Sequence, residues 1–89
     1  MKRVRIFISG VVTRVFFRAF IKENSDKLGI NGYVRNVGDS IEAVFEGEEE
    51  KIKKMIDLCK NGPKAANVMK IEVEEAEYTG EFDSFCVRP

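Results

Sequence analysis

From Arg3 to Ser9 the β-branched residues Val4, Ile6 and Ile8 alternate with Arg3, Arg5 and Phe7. A period of two rich in β-branched residues predicts a strand. The run Gly10-Val11-Val12-Thr13-Arg14-Val15 breaks the alternation and reads as a connection, with Gly10 supplying backbone freedom at the turn. Phe17, Phe20, Ile21, Asn24 and Leu28 then follow at steps of three, one, three and four. Their apolar members lie on one face of a helix expected from about Val15 to Leu28, stopped by Gly29. A second strand is expected from Tyr33 to Val37, with Gly32 opening it and Gly38-Asp39-Ser40 as a hairpin turn. Ile41, Ala43 and Phe45 share one face of a third strand, Ile41 to Glu46, which Gly47 ends.

Glu48, Glu49 and Glu50 place negative charge where a second helix begins, and Lys60 places positive charge near its end. That polarity suits the helix dipole. Ile52, Met55, Ile56 and Cys59 form its apolar stripe, and Asn61-Gly62-Pro63 terminates it. Met69, Ile71 and Val73 alternate with Lys70, Glu72 and Glu74 inside a strand expected over Asn67 to Tyr78, and a short strand closes the chain at Phe85 to Arg88. The resulting order is βαββαβ with a short fifth strand. This is an α+β, ferredoxin-like sandwich: a mostly antiparallel sheet with both helices on one face, since each helix has one apolar stripe to bury. Many functions use this fold, so the side chains must choose among them.

The chain has 89 residues, a length that suits one domain spanning 1–89. It is 44% hydrophobic and 34% charged, a balance that favours a globular protein over a disordered one. No apolar run approaches the roughly 18–20 residues of a membrane span, and the N-terminus lacks the pattern of a signal peptide. A cytoplasmic location without membrane partners is therefore expected. Histidine is absent, which removes histidine bases, His-dependent nucleophiles and histidine metal ligands. Cys59 and Cys86 fit no zinc or redox spacing, and both are expected as buried free thiols. The formal net charge is zero, which disfavours nucleic acid as a partner. The charge is lopsided, however. Residues 1–35 carry eight basic and two acidic side chains, while residues 36–89 carry seven basic and thirteen acidic ones.

Two stretches carry candidate chemistry. In Gly10 to Arg18 a loop runs directly into a helix N-terminus, where unpaired amides and the macrodipole favour an anion. Arg18 adds a planar fork of donors that matches phosphate oxygens. Taken alone, it reads first as a surface arginine on an ordinary amphipathic helix. In Gly32-Tyr33-Val34-Arg35-Asn36, the Asn36 carboxamide has donors and an acceptor able to orient a water. By itself it reads first as ordinary turn chemistry, since Asn is common beside hairpins.

Together the two stretches resemble the signature of the acylphosphatase family. Gly10-Val11-Val12-Thr13-Arg14-Val15-Phe16-Phe17-Arg18 is similar to the family pattern Gly-x-Val-Gln-Gly-Val-x-Phe-Arg. Gly32-Tyr33-Val34-Arg35-Asn36 is similar to its Gly-Trp-Val-Arg/Lys-Asn block. Glu42 to Gly47, Gly62-Pro63 and Phe85 to Pro89 extend the likeness over essentially the whole chain. The resemblance implies hydrolysis of a small-molecule acyl phosphate to a carboxylate and inorganic phosphate, with no cofactor and no metal. It assigns the phosphoryl group to Arg18 and to the cradle of Val11, Val12, Thr13, Arg14 and Val15. Asn36 would orient the attacking water. Inorganic phosphate or sulfate is expected to compete, and the protein is expected to be a monomer.

Two departures lie in the cradle. Thr13 stands where the family usually has glutamine, and Arg14 where it usually has glycine. At a positive φ, Arg14 would carry roughly 1 kcal/mol or more of strain. At an ordinary φ it would add a second cation at the mouth of the site. The hairpin after Asn36 is also one residue shorter than the common form. The alternative reading is an acylphosphatase-like domain that binds phosphate or a phosphorylated ligand with little or no turnover. RNA recognition on the sheet is a poorer match, because no run of spaced sheet aromatics is present.

Overall fold

A computed structural model describes all residues, 1–89. Seven elements follow in order: β1 (Lys2–Val11), α1 (Phe17–Leu28), β2 (Asn31–Val37), β3 (Ser40–Gly47), α2 (Glu49–Asn61), β4 (Asn67–Ala76) and β5 (Phe85–Val87). The strands form one sheet in the order β4-β1-β3-β2-β5, antiparallel except for the β2–β5 pair. This is the expected ferredoxin-like sandwich. Val4, Ile6 and Ile8 of β1, Ile41, Ala43 and Phe45 of β3, and Val34 of β2 pack in one cluster with Phe17 and Ile21 of α1 and with Ile52, Met55 and Cys59 of α2. Alternation along the strands sends these side chains to one face, and both helices cover that face. No helix is long and apolar enough to cross a membrane.

Several boundaries differ from those read in the sequence. The first helix begins at Phe17 rather than near Val15, because Phe16 has φ 63° and ψ 24°, outside helical space. The fourth strand ends at Ala76 rather than Tyr78. Thr79 and Gly80 instead turn their amides onto the Glu46 carboxylate at 3.0 and 3.1 Å. Cys86 is exposed rather than buried, because Phe85 points into the core and strand alternation turns its neighbour outward. Cys59 is a buried free thiol, and burial pushes its pKa up to about 12. It stays protonated and unreactive.

The open face of the sheet is a lattice of ion pairs. Glu42 is buried between Arg35 Nε, 2.5 Å from its Oε1, and Arg5 Nε, 2.6 Å from its Oε2. Glu46 accepts from Arg3 at 2.9 Å and from Thr79 Oγ1 at 2.9 Å. Burial raises both carboxyl pKa values, but the hydrogen bonds and charges of the partners outweigh it, and both groups titrate below the ordinary value of 4.5. Because these pKa values are depressed by folding, the ionised carboxylates stabilise the fold fully above about pH 4.5. That stabilisation is lost as the pH falls through the lower folded values. Melting temperature is therefore expected to drop as the pH is lowered below about 4.5. In Glu42→Gln the drop should be shallower, starting from a lower plateau at neutral pH. A Glu42→Gln acid limb parallel to that of the wild type would contradict this assignment.

Candidate active site

The site lies where β1 hands the chain to α1. The register of β1 against β4 slips between Ser9 and Gly10, a bulge that bends the strand as it leaves the sheet. Gly10 has φ 129°, and a Cβ there would meet Asn67 O at 2.2 Å and Met69 N at 2.8 Å. Only glycine lets the two backbones approach this closely. After Val11 the chain makes four bends before helix α1 starts. None of the backbone N–H groups of residues 12 to 16 finds a backbone acceptor, and the first intrahelical bond at this end is Phe20 N to Phe16 O at 3.0 Å. A run of free amides thus leads into a helix N-terminus that has no side-chain cap and no acidic residue in its first turn.

Two residues in this run are left-handed, Arg14 at φ 61° and Phe16 at φ 63°. The positive φ at Arg14 means that it carries the strain expected of that conformation. Replacement by glycine is expected to relieve about 1–2 kcal/mol, against about 0.4–1 kcal/mol of added unfolded-state entropy. Arg14→Gly should therefore be slightly stabilised in thermal melts, with turnover equal to or above that of the wild type. A collapse of turnover in this variant would instead make the Arg14 guanidinium part of the working site.

Asn36 reaches the same place from β2. It pairs with Ile41 of β3 and is in phase with the buried Val34, so its side chain lies on the helix-covered face. The turn beyond it has two residues, Gly38 and Asp39, with Val37 opposite Ser40. A positive φ occurs at Gly38 and not at Asp39, the pattern of a type II′ hairpin. The short hairpin thus closes in a favoured geometry and leaves Asn36 in register.

Val12, Arg14, Arg18 and Asn36 line one cavity of about 480 Å³. Val11, Thr13 and Val15 do not line it. Val11 ends β1 opposite Asn67, and Val15 packs on the core. Phe16, Phe17, Ala19 and Val87 complete the lining. The sequence reading left these four out, and it had a signal only for Phe16, the variable position of the first block.

Arg18 Nη1 donates to the carbonyl of Arg88 at 3.2 Å, and Arg88 N donates to Val34 O at 2.8 Å. The Arg88 guanidinium lies 3.9 Å from the centre of the Tyr33 ring. The segment after β5 is thereby fastened to the block that carries Asn36, and it holds Arg18 toward that block.

The electrostatics single out the same residues. Of the eight basic side chains in residues 1–35, six have a carboxylate within ion-pair distance: Lys2, Arg3, Arg5, Lys22, Lys27 and Arg35. Arg14 and Arg18 have none. The excess charge of the N-terminal half is therefore neutralised across the sheet and along α1 but left free at this cavity. Asn36 Oδ1 is buried without a hydrogen-bond partner, an arrangement that costs about 1–3 kcal/mol unless a ligand or water satisfies it. No carboxylate, thiol or imidazole lines the cavity.

A ferredoxin-like sandwich thus carries, beside one strand–helix junction, a cavity with free amides nearby, two guanidinium groups without carboxylate partners and an inward carboxamide from β2, chemistry suited to an anion. The family model for acylphosphatase matches residues 4–87. An acylphosphatase of Aeropyrum pernix is 46% identical over 88 residues, covering 97% of this chain and 87% of that protein. One from Syntrophus aciditrophicus is 44% identical, with 98% and 92% covered. The crystal structure of the Bacillus subtilis acylphosphatase superposes with a TM-score of 0.95 at 30% identity over the whole of both chains. The chain belongs to the acylphosphatase family and is an enzyme of that class.

Proposed function

We propose that this chain, acting as one unit over residues 1–89, hydrolyses small acyl phosphates at the cavity between the 11–15 loop and Asn36. The observation that carries the reading is one cavity lined by Val12, Arg14, Arg18 and Asn36, where the backbone amides of residues 12 to 16 have no backbone acceptor, Arg18 has no carboxylate partner and Asn36 Oδ1 has no partner within the protein. The amides of the loop and the Arg18 fork take the phosphoryl oxygens. Left-handed residues alternating with ordinary ones, as at 14 to 16, suit a concave amide nest. Asn36 Oδ1 accepts a hydrogen bond from a water and aims its oxygen at phosphorus.

The water oxygen then forms a bond to phosphorus while the bond from phosphorus to the acyl oxygen breaks. The bonding pair leaves with the carboxylate, and the water's proton passes to a phosphoryl oxygen of the substrate. A lining without a titratable base suits this route, since phosphoryl transfer asks mainly for positioning and charge stabilisation. The carboxylate is a good leaving group and demands no strong acid. A cytoplasmic monomer, competed by phosphate or sulfate, completes the proposal.

The test uses purified protein with benzoyl phosphate. Release of phosphate, inhibited competitively by inorganic phosphate, is the expected result. Amide NMR shifts of residues 11–15 should move on addition of millimolar phosphate. Shifts that stay fixed while benzoyl phosphate is hydrolysed would remove the loop from the mechanism.

A further inference from the structure

Phe16 combines three features. It is left-handed, a strained state for a residue with a large side chain. It is 83% exposed and belongs to none of the three aromatic pairs of the fold. It also lines the cavity that contains Arg18 and Asn36. Val87 lines the same cavity from β5 and is 43% exposed. The other large apolar residues there, Val12 and Phe17, are buried in the core. The accessible lining thus joins polar groups suited to a phosphoryl group with an exposed apolar ring and a partly exposed isopropyl group.

In-line displacement puts the departing acyl group opposite the attacking water, and hence away from Asn36. We infer that Phe16, with Val87 in the same cavity, receives the acyl half of the substrate and makes this enzyme favour acyl phosphates with aromatic or extended apolar acyl groups over short ones. The inference rests on the phosphate site proposed above. Packing of an aromatic acyl group against the Phe16 ring takes apolar surface out of water and adds the offset or edge-on contact that aromatic pairs prefer. A phosphorylated ligand with a charged or very small acyl group gains neither.

The experiment measures kcat/KM for benzoyl phosphate and acetyl phosphate, and the inhibition constant of inorganic phosphate, in the wild type, Phe16→Ala, Phe16→Tyr and Val87→Thr. The benzoyl-to-acetyl ratio is expected to fall about 3- to 10-fold in Phe16→Ala, through KM for benzoyl phosphate. Phe16→Tyr should keep the ratio, and Val87→Thr should lower it by a smaller factor. A ratio that does not move in Phe16→Ala overturns the inference, whether both substrates are lost equally or neither is affected. Absence of competitive inhibition by phosphate in the wild type would overturn the phosphate site itself, a separate outcome.

Discussion

Arg18→Ala is expected to lower kcat/KM for benzoyl phosphate by at least about 10²–10³-fold and to weaken inhibition by phosphate in parallel. Removing one preorganised donor from such a site already costs about that much, and this substitution removes a charge and several donors. The fold should survive it. The hydrogen bond that Arg18 makes within the protein goes to the Arg88 carbonyl on an exposed surface, and it has no carboxylate partner to strand. Thermal melting should therefore move little. Arg18→Lys should recover only part of the loss, because an ammonium supplies charge without the planar fork. Steady-state kinetics with a phosphate titration would check all three results. Turnover in Arg18→Ala within a few-fold of the wild type would mean that the loop amides and Arg14 suffice to hold the phosphoryl group.

Asn36→Ala separates water positioning from anion binding. Its kcat should fall by about 10²-fold or more, by analogy with other preorganised catalytic groups. The phosphate inhibition constant should stay within a few-fold of the wild type. Stability should change little. The buried Oδ1 has no partner within the protein, so its removal breaks no internal hydrogen bond and leaves only a small cavity. Melting temperature should stay close to that of the wild type. Equal loss of turnover and of phosphate affinity in Asn36→Ala would contradict the role given to Asn36. A marked fall in melting temperature would show that the carboxamide supports the hairpin instead.

Most of the fold was legible because it depends on periodicity. Val4, Ile6 and Ile8 repeat at two, and Ile52, Met55 and Cys59 at three and four; these positions are buried as the pattern requires. The misread boundaries fall where a non-local contact competes with the pattern. Tyr78 and Thr79 continue the composition of a strand, but Glu46, more than thirty residues earlier, takes the Thr79 amide. Cys86 sits among apolar neighbours in sequence, yet strand alternation decides its exposure.

The two signature blocks named Arg18 and Asn36, and the loop between strand and helix named a region. The residues that face the cavity overlap that reading in part. Val12 and Arg14 line it with Arg18 and Asn36; Val11, Thr13 and Val15 do not, and Phe16 and Val87 do. A loop has no repeat to indicate which side chains point inward.

The sequence by itself determined the order of strands and helices and the face each buries, and it pointed to the junction proposed here as the anion site, because these follow from spacing and from residue types within a few positions of one another. Only the tertiary structure decided that Arg14 and Phe16 are left-handed, that the Asn36 oxygen is buried without a partner, and that Arg14 and Arg18 stay unpaired while Arg3, Arg5 and Arg35 are neutralised by Glu42 and Glu46. Charge neutralisation depends on which strands lie side by side and in what register. The positive excess of the first 35 residues becomes a localised cationic site only when β3 slides its two glutamates between β1 and β2.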